Sequence, residues 1–339
     1  MREYQQLIEQ YLQDHFPATS ALTVTQLAKL RDGWESDNYV LTVEYGAPHR
    51  RTKWVWRLYS GVGSEAKATR EFTGMQQLFA AGYPVPQVIL LETAASPAQR
   101  PFVIMDYIEG AMMWELLEHA PVAQQAPLID QFCRLFAQLH ALDWRQFDRS
   151  VPGEEPYYCI DRWLNDAHRT LQNFPDIDAA PFVDWVAAQR PLLACQRPSP
   201  VHHDFHPGNI LVQSNNRALV IDWTGFAVTD ARFDLAWTLV LAHAYGPPEW
   251  RDHILQGYQH YAGQPVVQIE LFEAMACARR LLDLTISLTQ GAGRMGMNAQ
   301  AVAAMRADME PHRKVHQLFR ERTGLAIAAF DALFAERNM

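Results

Sequence analysis

Two stretches of this chain hold oxygen-bearing side chains at a spacing that can do chemistry. One reads Val201-His202-His203-Asp204-Phe205-His206-Pro207-Gly208-Asn209-Ile210-Leu211-Val212, the other Leu219-Val220-Ile221-Asp222-Trp223. An Asp and an Asn share one short loop that runs into an apolar strand, and a second Asp ends another apolar run. Magnesium takes hard oxygen donors, commonly one or two from protein with phosphate oxygens and water filling the rest. Phosphoryl transfer asks for an aligned hydroxyl, a place for its proton and a cation to offset charge. Asn209 and Asp222 would serve the metal, and Asp204 the attacking hydroxyl. The two carboxylates lie 18 positions apart, room for a hairpin that brings them to one site. Taken singly, each has a plainer reading: Asp204 capping a turn, Asn209 following Gly208 in a turn, Asp222 closing an Asx turn at a strand end.

His202, His203, Asp204 and His206 also crowd together in a way that suggests zinc hydrolase chemistry. Against it, the chain has no His-x-x-x-His helix pair and no downstream His/Asp set at zinc spacing.

The joint pattern over 201–236, His-x-Asp-x-x-x-x-Asn followed by Ile-Asp-Trp, resembles the aminoglycoside phosphotransferase and choline kinase group, relatives of the protein kinases. Their loop usually reads His-Gly-Asp-x-His-x-x-Asn, and His203 stands here in place of that Gly. Asp230-Ala-Arg-Phe-Asp234-Leu-Ala is similar to the group's next segment. By that resemblance Asp234 caps a helix and anchors the catalytic loop, while Asp230 either contacts substrate or is structural. His202 packs beneath Asp204 and bonds backbone, and His206 either faces the substrate hydroxyl or packs. The resemblance runs in order through most of residues 20–240.

It implies an ATP- and magnesium-dependent transfer of the γ-phosphate to a small-molecule hydroxyl, with ATP favoured over GTP. Arg57 stands where relatives usually place a phosphate-binding Lys. Arg keeps the charge and forks onto oxygens, with different length and geometry. Lys53 is the second choice. Glu71 matches the helix carboxylate that holds this cation; a solvated helix Glu is the alternative. The loop Arg31-Asp32-Gly33-Trp34-Glu35-Ser36-Asp37-Asn38 has one Gly, Gly33, and ends in Asn38, as reduced phosphate loops do, or it is a plain hairpin. Glu35 and Asp37 would oppose a phosphate if they pointed inward. In the hinge, the Asp106 carbonyl and Ile108 amide would read adenine, with Met105 as a soft wall behind it.

The elements that must position these residues follow from periodicity. Tyr4, Leu7, Ile8, Tyr11 and Leu12 recur at helical spacing before Pro17. Residues 22–30, 39–45 and 54–59 alternate as antiparallel strands. Ser64 is the expected N-cap of a helix that Gly82 stops. Strands follow at 88–91 and 102–105. Beyond that the chain turns helical: 128–140 carries an i, i+3, i+4 stripe, and 270–290 is apolar on more than one side and expected to be buried. The expected fold is an α+β, bilobal, protein-kinase-like one. Its N-lobe is 1–105, its hinge 106–110, and its C-lobe 111–339, mainly helical.

The chain of 339 residues is long enough for two lobes with substantial cores. Its 29 Lys and Arg against 38 Asp and Glu give a net charge of −9, so no global basic field favours nucleic acid or an anionic membrane. The basic run His49-Arg50-Arg51-Thr52-Lys53 reads as a solvated loop. Cys133, Cys159, Cys195 and Cys277 form no Cys-x-x-Cys pair, which fits a reduced, cytoplasmic protein. There is no apolar signal core at the start and no run long enough to cross a bilayer. The expected partner is a small hydroxyl-bearing acceptor (aminoglycoside, choline, homoserine, methylthioribose or sugar), with the protein a monomer or homodimer. Aromatics such as Trp144, Tyr158, Trp237 and Tyr258 either line its pocket or sit in the core. Two other functions stay open: a nucleotide-binding pseudokinase regulator, favoured by Arg57 and the thin phosphate loop, and a protein Ser/Thr kinase.

Overall fold

Strands come early in the chain and helices later, as the change from period-two to helical patterning requires. A computed structural model describes residues 2–16, 22–30, 36–46, 50–94, 96–291 and 299–335. In chain order these form α1 (Arg2–His15), β1 (Thr23–Lys29), β2 (Ser36–Tyr45), β3 (Arg50–Tyr59), α2 (Ser64–Ala80), β4 (Val88–Glu92), β5 (Phe102–Asp106) and β6 (Ala111–Met112). There follow α3 (Met113–His119), α4 (Val122–Ala141), α5 (Tyr158–Asn173), α6 (Ala180–Gln189), β7 (Pro198–Val201), β8 (Ile210–Val212), β9 (Ala218–Val220) and β10 (Ala227–Asp230). Five helices close the chain: α7 (Ala231–Tyr245), α8 (Trp250–Ala262), α9 (Ile269–Thr289), α10 (Ala299–Ala307) and α11 (Glu310–Thr323), with a short α12 (Ala328–Asp331) after them. The described residues up to Met112 cluster with Ile210–Gly225 as one unit, and Met113–Asn209 with the described residues from Phe226 onward as another.

In the first unit an antiparallel sheet runs in the order β1-β2-β3-β5-β4. Alternation along β3 sends Trp56 and Leu58 to one face, where they meet Ile8 and Leu12 of α1 with Leu41, Val43, Phe102 and Ile104. Burying each such side chain is worth about 1.5–3 kcal/mol. The same alternation must send Arg57 and Tyr59 to the opposite face, on which α2 lies with Glu71, Met75 and Leu78 buried. The helix starts one residue earlier than its sequence suggests. Gly63, at φ +75°, is the N-cap, and Ser64 is its first residue and caps nothing. The turn into α2 needs a left-handed residue, which glycine adopts without a Cβ clash. A smaller sheet, β6-β8-β9, belongs to the same unit and leads to Asp222.

In the second unit β7 pairs antiparallel with β10, Val201 opposite Ala227 and Pro198 opposite Asp230. β7 delivers the loop 202–209 and β10 delivers α7. The stripe at 128–140 lies on α4, and α9 is buried over most of its length. No helix among the described residues is long and apolar enough to cross a membrane.

One buried base makes this unit acid-sensitive. His312, near the start of α11, is 2 % exposed. Burial and the Arg280 guanidinium push its imidazole down to about 4 from 6.5, against a smaller upward pull from Asp308. Between those values the unfolded chain binds a proton that the folded chain refuses. The His312 contribution is therefore complete above pH 6.5, is lost as pH falls through the window and levels off below about pH 4, a loss of about 3 kcal/mol at most. Urea unfolding of the wild type and of His312→Gln at several pH values checks this. The stability difference should shift toward the variant as pH drops, and parallel curves would assign the acid sensitivity elsewhere.

Candidate active site

The first unit brings Arg57, Glu71 and Asp222 together. Arg57 donates from Nη2 to Asp222 Oδ1 at 2.8 Å, and its Nε lies 3.3 Å from Glu71 Oε2. Glu71 is fully buried and further held: the Tyr59 hydroxyl donates to Oε2 and the Trp223 amide to Oε1 at 3.1 Å. Burial pushes the Glu71 carboxyl up, more than Arg57 pulls it down. Burial also works against the Arg57 charge, but Asp222 and Glu71 outweigh it and the guanidinium is held more firmly protonated. Asp222 itself adopts φ +67° and takes a second bond from the Thr224 hydroxyl at 3.3 Å. Next to it Trp223 is buried, its indole donating to Val220 O at 3.0 Å and its ring edge-on to Tyr83. An apolar anchor thus sets where Asp222 can reach.

Asn38 stands opposite Arg57 in the β2–β3 register, and its Oδ1 is buried without a partner among the described residues. Gly33 and Glu35 lie outside the described residues. Asp37 is committed to cations, 2.6 Å from Arg100 and 3.4 Å from Lys29, so its charge is already offset. Lys53 is exposed, with its ammonium over the Tyr107 ring. Met105 is buried in β5. The Asp106 amide donates to Gln87 O and the Tyr107 amide to Lys53 O, whereas no bond within the described residues takes up the Ile108 amide.

In the second unit the loop 202–209 is held by α7. Asp234, Trp237 and Thr238, spaced i, i+3, i+4, share one face of α7. Asp234 Oδ2 accepts the His202 amide at 2.6 Å, the Thr238 hydroxyl donates to Phe205 O at 2.6 Å, and the Trp237 indole donates to Asp204 Oδ1 at 2.8 Å. Phe205 stacks on Phe136 of α4, with centroids 4.1 Å apart and planes at 3°. His140 on α4 lies 3.4 Å from Asp234 through Nε2 and 2.8 Å from the Tyr258 hydroxyl through Nδ1. Burial pushes the Asp234 carboxyl up, yet the surrounding imidazoles, His140 foremost, hold it below its usual range. The helix cap is Asp230, which accepts the Arg232 amide at 2.9 Å; Asp234 anchors the loop from one turn inside and does not cap. Asp230 is buried against Arg232.

The loop's polar groups fall into order around Asp204. His202 is buried and its Nδ1 accepts the Asp204 amide at 3.2 Å. His206 Nδ1 accepts the Gly208 amide at 3.0 Å, and its Nε2 lies 3.2 Å from the Asn209 amide nitrogen and 3.5 Å from Asp204 Oδ2. A Cβ on Gly208 would sit 2.8 Å from the His206 ring, so any other residue there would have to displace that ring. The Asn209 amide nitrogen donates to Asp204 O at 2.9 Å and Oδ2 at 3.3 Å. Burial raises the Asp204 carboxyl, but His206, Trp237 and His202 outweigh it and the net shift is strongly downward. The carboxylate is therefore ionised at neutral pH with its side chain 46 % exposed. Among the described residues no three His, Cys, Asp or Glu side chains are arranged to hold a metal. His203 has φ +64°, the left-handed region natural to the Gly it replaces. Sequence alone did not single out Tyr59 or Arg279, and it named Trp237 only among the aromatics that line a pocket or sit in the core. Only Trp237 left a signal, its i+3 spacing from Asp234.

With these geometries in place, comparison with known proteins gives the class. The model of the phosphotransferase enzyme family, APH, matches residues 26–269, and the chain belongs to that family. Among solved structures it resembles a Ralstonia eutropha protein assigned to the aminoglycoside phosphotransferases, with a TM-score of 0.67 at 18 % identity over 94 % of this chain and 98 % of that one. It also resembles aminoglycoside phosphotransferase APH(4)-Ia, with a TM-score of 0.62 at 17 % identity over 95 % and 99 %. These likenesses establish the kinase-like α+β fold. Rat acyl-CoA dehydrogenase family member 11 is 25 % identical over 288 residues, 81 % of this chain and 35 % of that protein. The chicken protein of the same name is 26 % identical over 182 residues, 49 % and 22 %. The chain thus spans about a third or less of the length of these curated relatives.

The Arg57 cluster makes a direct prediction. Removing one partner of a buried ion pair leaves an uncompensated charge and costs about 3–5 kcal/mol. Arg57→Met should lose about that much in urea unfolding, and Arg57→Lys less, since it keeps the charge but loses the fork. Adding Glu71→Gln to Arg57→Met should recover part of the loss. Strict additivity in that cycle would mean the two groups do not interact.

Proposed function

We propose that this protein is an ATP- and magnesium-dependent O-phosphotransferase acting on a hydroxyl of a small molecule. The observation that carries the reading is the hold on Asp204: an ionised, half-exposed carboxylate fixed through Oδ1 by Trp237, on a loop pinned by Asp234, Phe205 and Thr238. Family membership supports the reaction class. Solved structures of the same fold hold such partners: one complex holds ADP with hygromycin B, another GDP with kanamycin.

In the reaction proposed, the acceptor O–H bond breaks and its proton passes to Asp204. The acceptor oxygen bonds to the γ-phosphorus. The bond from that phosphorus to its bridging oxygen breaks, and the electron pair leaves with the nucleoside diphosphate. Asp204 aligns the hydroxyl and receives its proton. Asn209 and Asp222 are the proposed metal ligands, and their donor chemistry fits. The Asn209 nitrogen is committed to Asp204, which leaves its amide oxygen for a hard cation. Arg57 and Thr224 hold Asp222 Oδ1, which leaves Oδ2. Magnesium, when bound, would offset charge on the phosphate oxygens. Arg57, braced by Glu71, would contact phosphates, with Gly33 and Asn38 in the phosphate loop. The Asp106 carbonyl, Ile108 amide and Met105 would take adenine. Four buried thiols support a reducing, cytoplasmic setting.

A regulator that binds nucleotide without transferring phosphate is the second reading. The direct Arg57–Asp222 bond favours it, because it neutralises the carboxylate that the metal would need. A panel of hydroxyl acceptors, read by nucleoside diphosphate release, separates the two. The enzyme should respond to at least one acceptor. Asp204→Ala should keep the magnesium–nucleotide melting shift and lose turnover by about 10³-fold, while Asp222→Ala loses magnesium-supported activity. A melting shift with no transfer to any acceptor would leave the regulator.

A further inference from the structure

The firmest bond to the Asp204 carboxylate comes from a residue outside the loop. The Trp237 indole N–H meets Oδ1 at 2.8 Å, whereas the contacts of Oδ2, to Asn209 and His206, are 3.3 and 3.5 Å. Trp237 is 5 % exposed, so its ring has little freedom to turn away. Its π-face is covered by Arg279 of α9, whose guanidinium carbon stands 4.0 Å from a Trp237 ring centroid. Arg279 Nη1 also donates to the carbonyl of His203 at 2.9 Å. Arg279 therefore touches both the backbone just before Asp204 and the ring that holds the Asp204 side chain.

Each contact strengthens the others. A cation over an indole face is attracted by the negative potential of the ring. It also draws electron density from the ring, which makes the N–H a better donor to an anion. The His203 carbonyl belongs to a residue in the left-handed region, a conformation that needs outside support in a non-glycine residue. The bond from Arg279 supplies such support.

We infer that Trp237 and Arg279 form a positioning pair for Asp204, fixing Oδ1 so that Oδ2 is the oxygen presented to the acceptor hydroxyl. This rests on the phosphotransferase reading above. Neither residue meets the reacting atoms, so both act through the carboxylate. Misplacing a catalytic group by about 1 Å can cost about 10²-fold in rate.

The test uses the full chain with Trp237→Phe, Arg279→Gln and Arg279→Lys, read in two ways. With magnesium–ATP and water or a panel acceptor, Trp237→Phe should lower kcat by about 10- to 100-fold while KM for magnesium–ATP stays within about twofold. Arg279→Gln should lower kcat less, and Arg279→Lys should restore most of it. The second reading needs no turnover. With isotope-labelled indole nitrogen, the resonance lost in Trp237→Phe identifies Trp237. That signal should move in Asp204→Asn and in Arg279→Gln and stay in place in Arg279→Lys. Should Trp237→Phe not fold, Arg279→Gln, at an exposed position, carries the kinetic arm. A Trp237 signal indifferent to Asp204→Asn, or wild-type kcat in Trp237→Phe, would overturn the inference. A wild-type protein that transfers no phosphate would instead overturn the functional reading, with the resonance still reporting on the pair.

Discussion

One buried carboxylate, Asp234, sets the loop 202–209 in place. It sits at zero exposure and spends Oδ2 on the His202 amide at 2.6 Å. In a low-dielectric surrounding such a bond is strong and its loss costly, because the amide would be left without water or partner. His140 and Tyr258 extend the network into α4 and α8. A helix face does the rest, since Trp237 and Thr238 follow from the placement of Asp234 by helical geometry alone. Inward residues of the loop, His202 and Phe205, are gripped by the core, and Asp204 between them is left half exposed.

The first unit solves a comparable problem with charge. Arg57 lies between two carboxylates, and its planar fork can serve both at once, which a lysine ammonium does less well. Glu71 is itself held by Tyr59 and by the Trp223 amide. The cluster therefore joins β3, α2 and the segment carrying Asp222. Buried ions of this kind contribute little net stability when compared with an apolar core. Their effect is to fix direction: among the described residues, Glu71 and Asp222 are the acids that pair with Arg57.

Much of this was legible in the residues themselves. Alternation from Trp54 to Tyr59 placed Arg57 opposite the apolar face, and the helical stripes at 128–140 and 270–290 appeared as α4 and α9. The shape of 201–236 pointed to its family, which the match over 26–269 bears out. What escaped were choices that depend on three-dimensional context. Ser64 has the chemistry of a cap, but the turn through Gly63 decides where α2 begins. Asp230 and Asp234 are equally good caps on paper; only the pairing of β10 with β7 makes Asp230 the boundary. Trp237 was one aromatic among many, and its partner Arg279 lies on another helix, 42 positions further along the chain.

His203 shows how far the loop's geometry is imposed rather than chosen locally. Its φ of +64° costs a non-glycine residue about 1–2 kcal/mol, a cost that a glycine avoids. Strain of this size persists where neighbours over-determine the backbone, and here they do. On one side Asp234 holds the His202 amide, and on the other Arg279 holds the His203 carbonyl. The Asp204 amide is then caught by His202 Nδ1, and its carboxylate by Trp237. With the peptide entering His202 held from α7 and the peptide leaving His203 held from α9, position 203 has little freedom to relax toward an extended conformation. The identity of the residue there then matters less to the direction of Asp204 than the two helices beneath it.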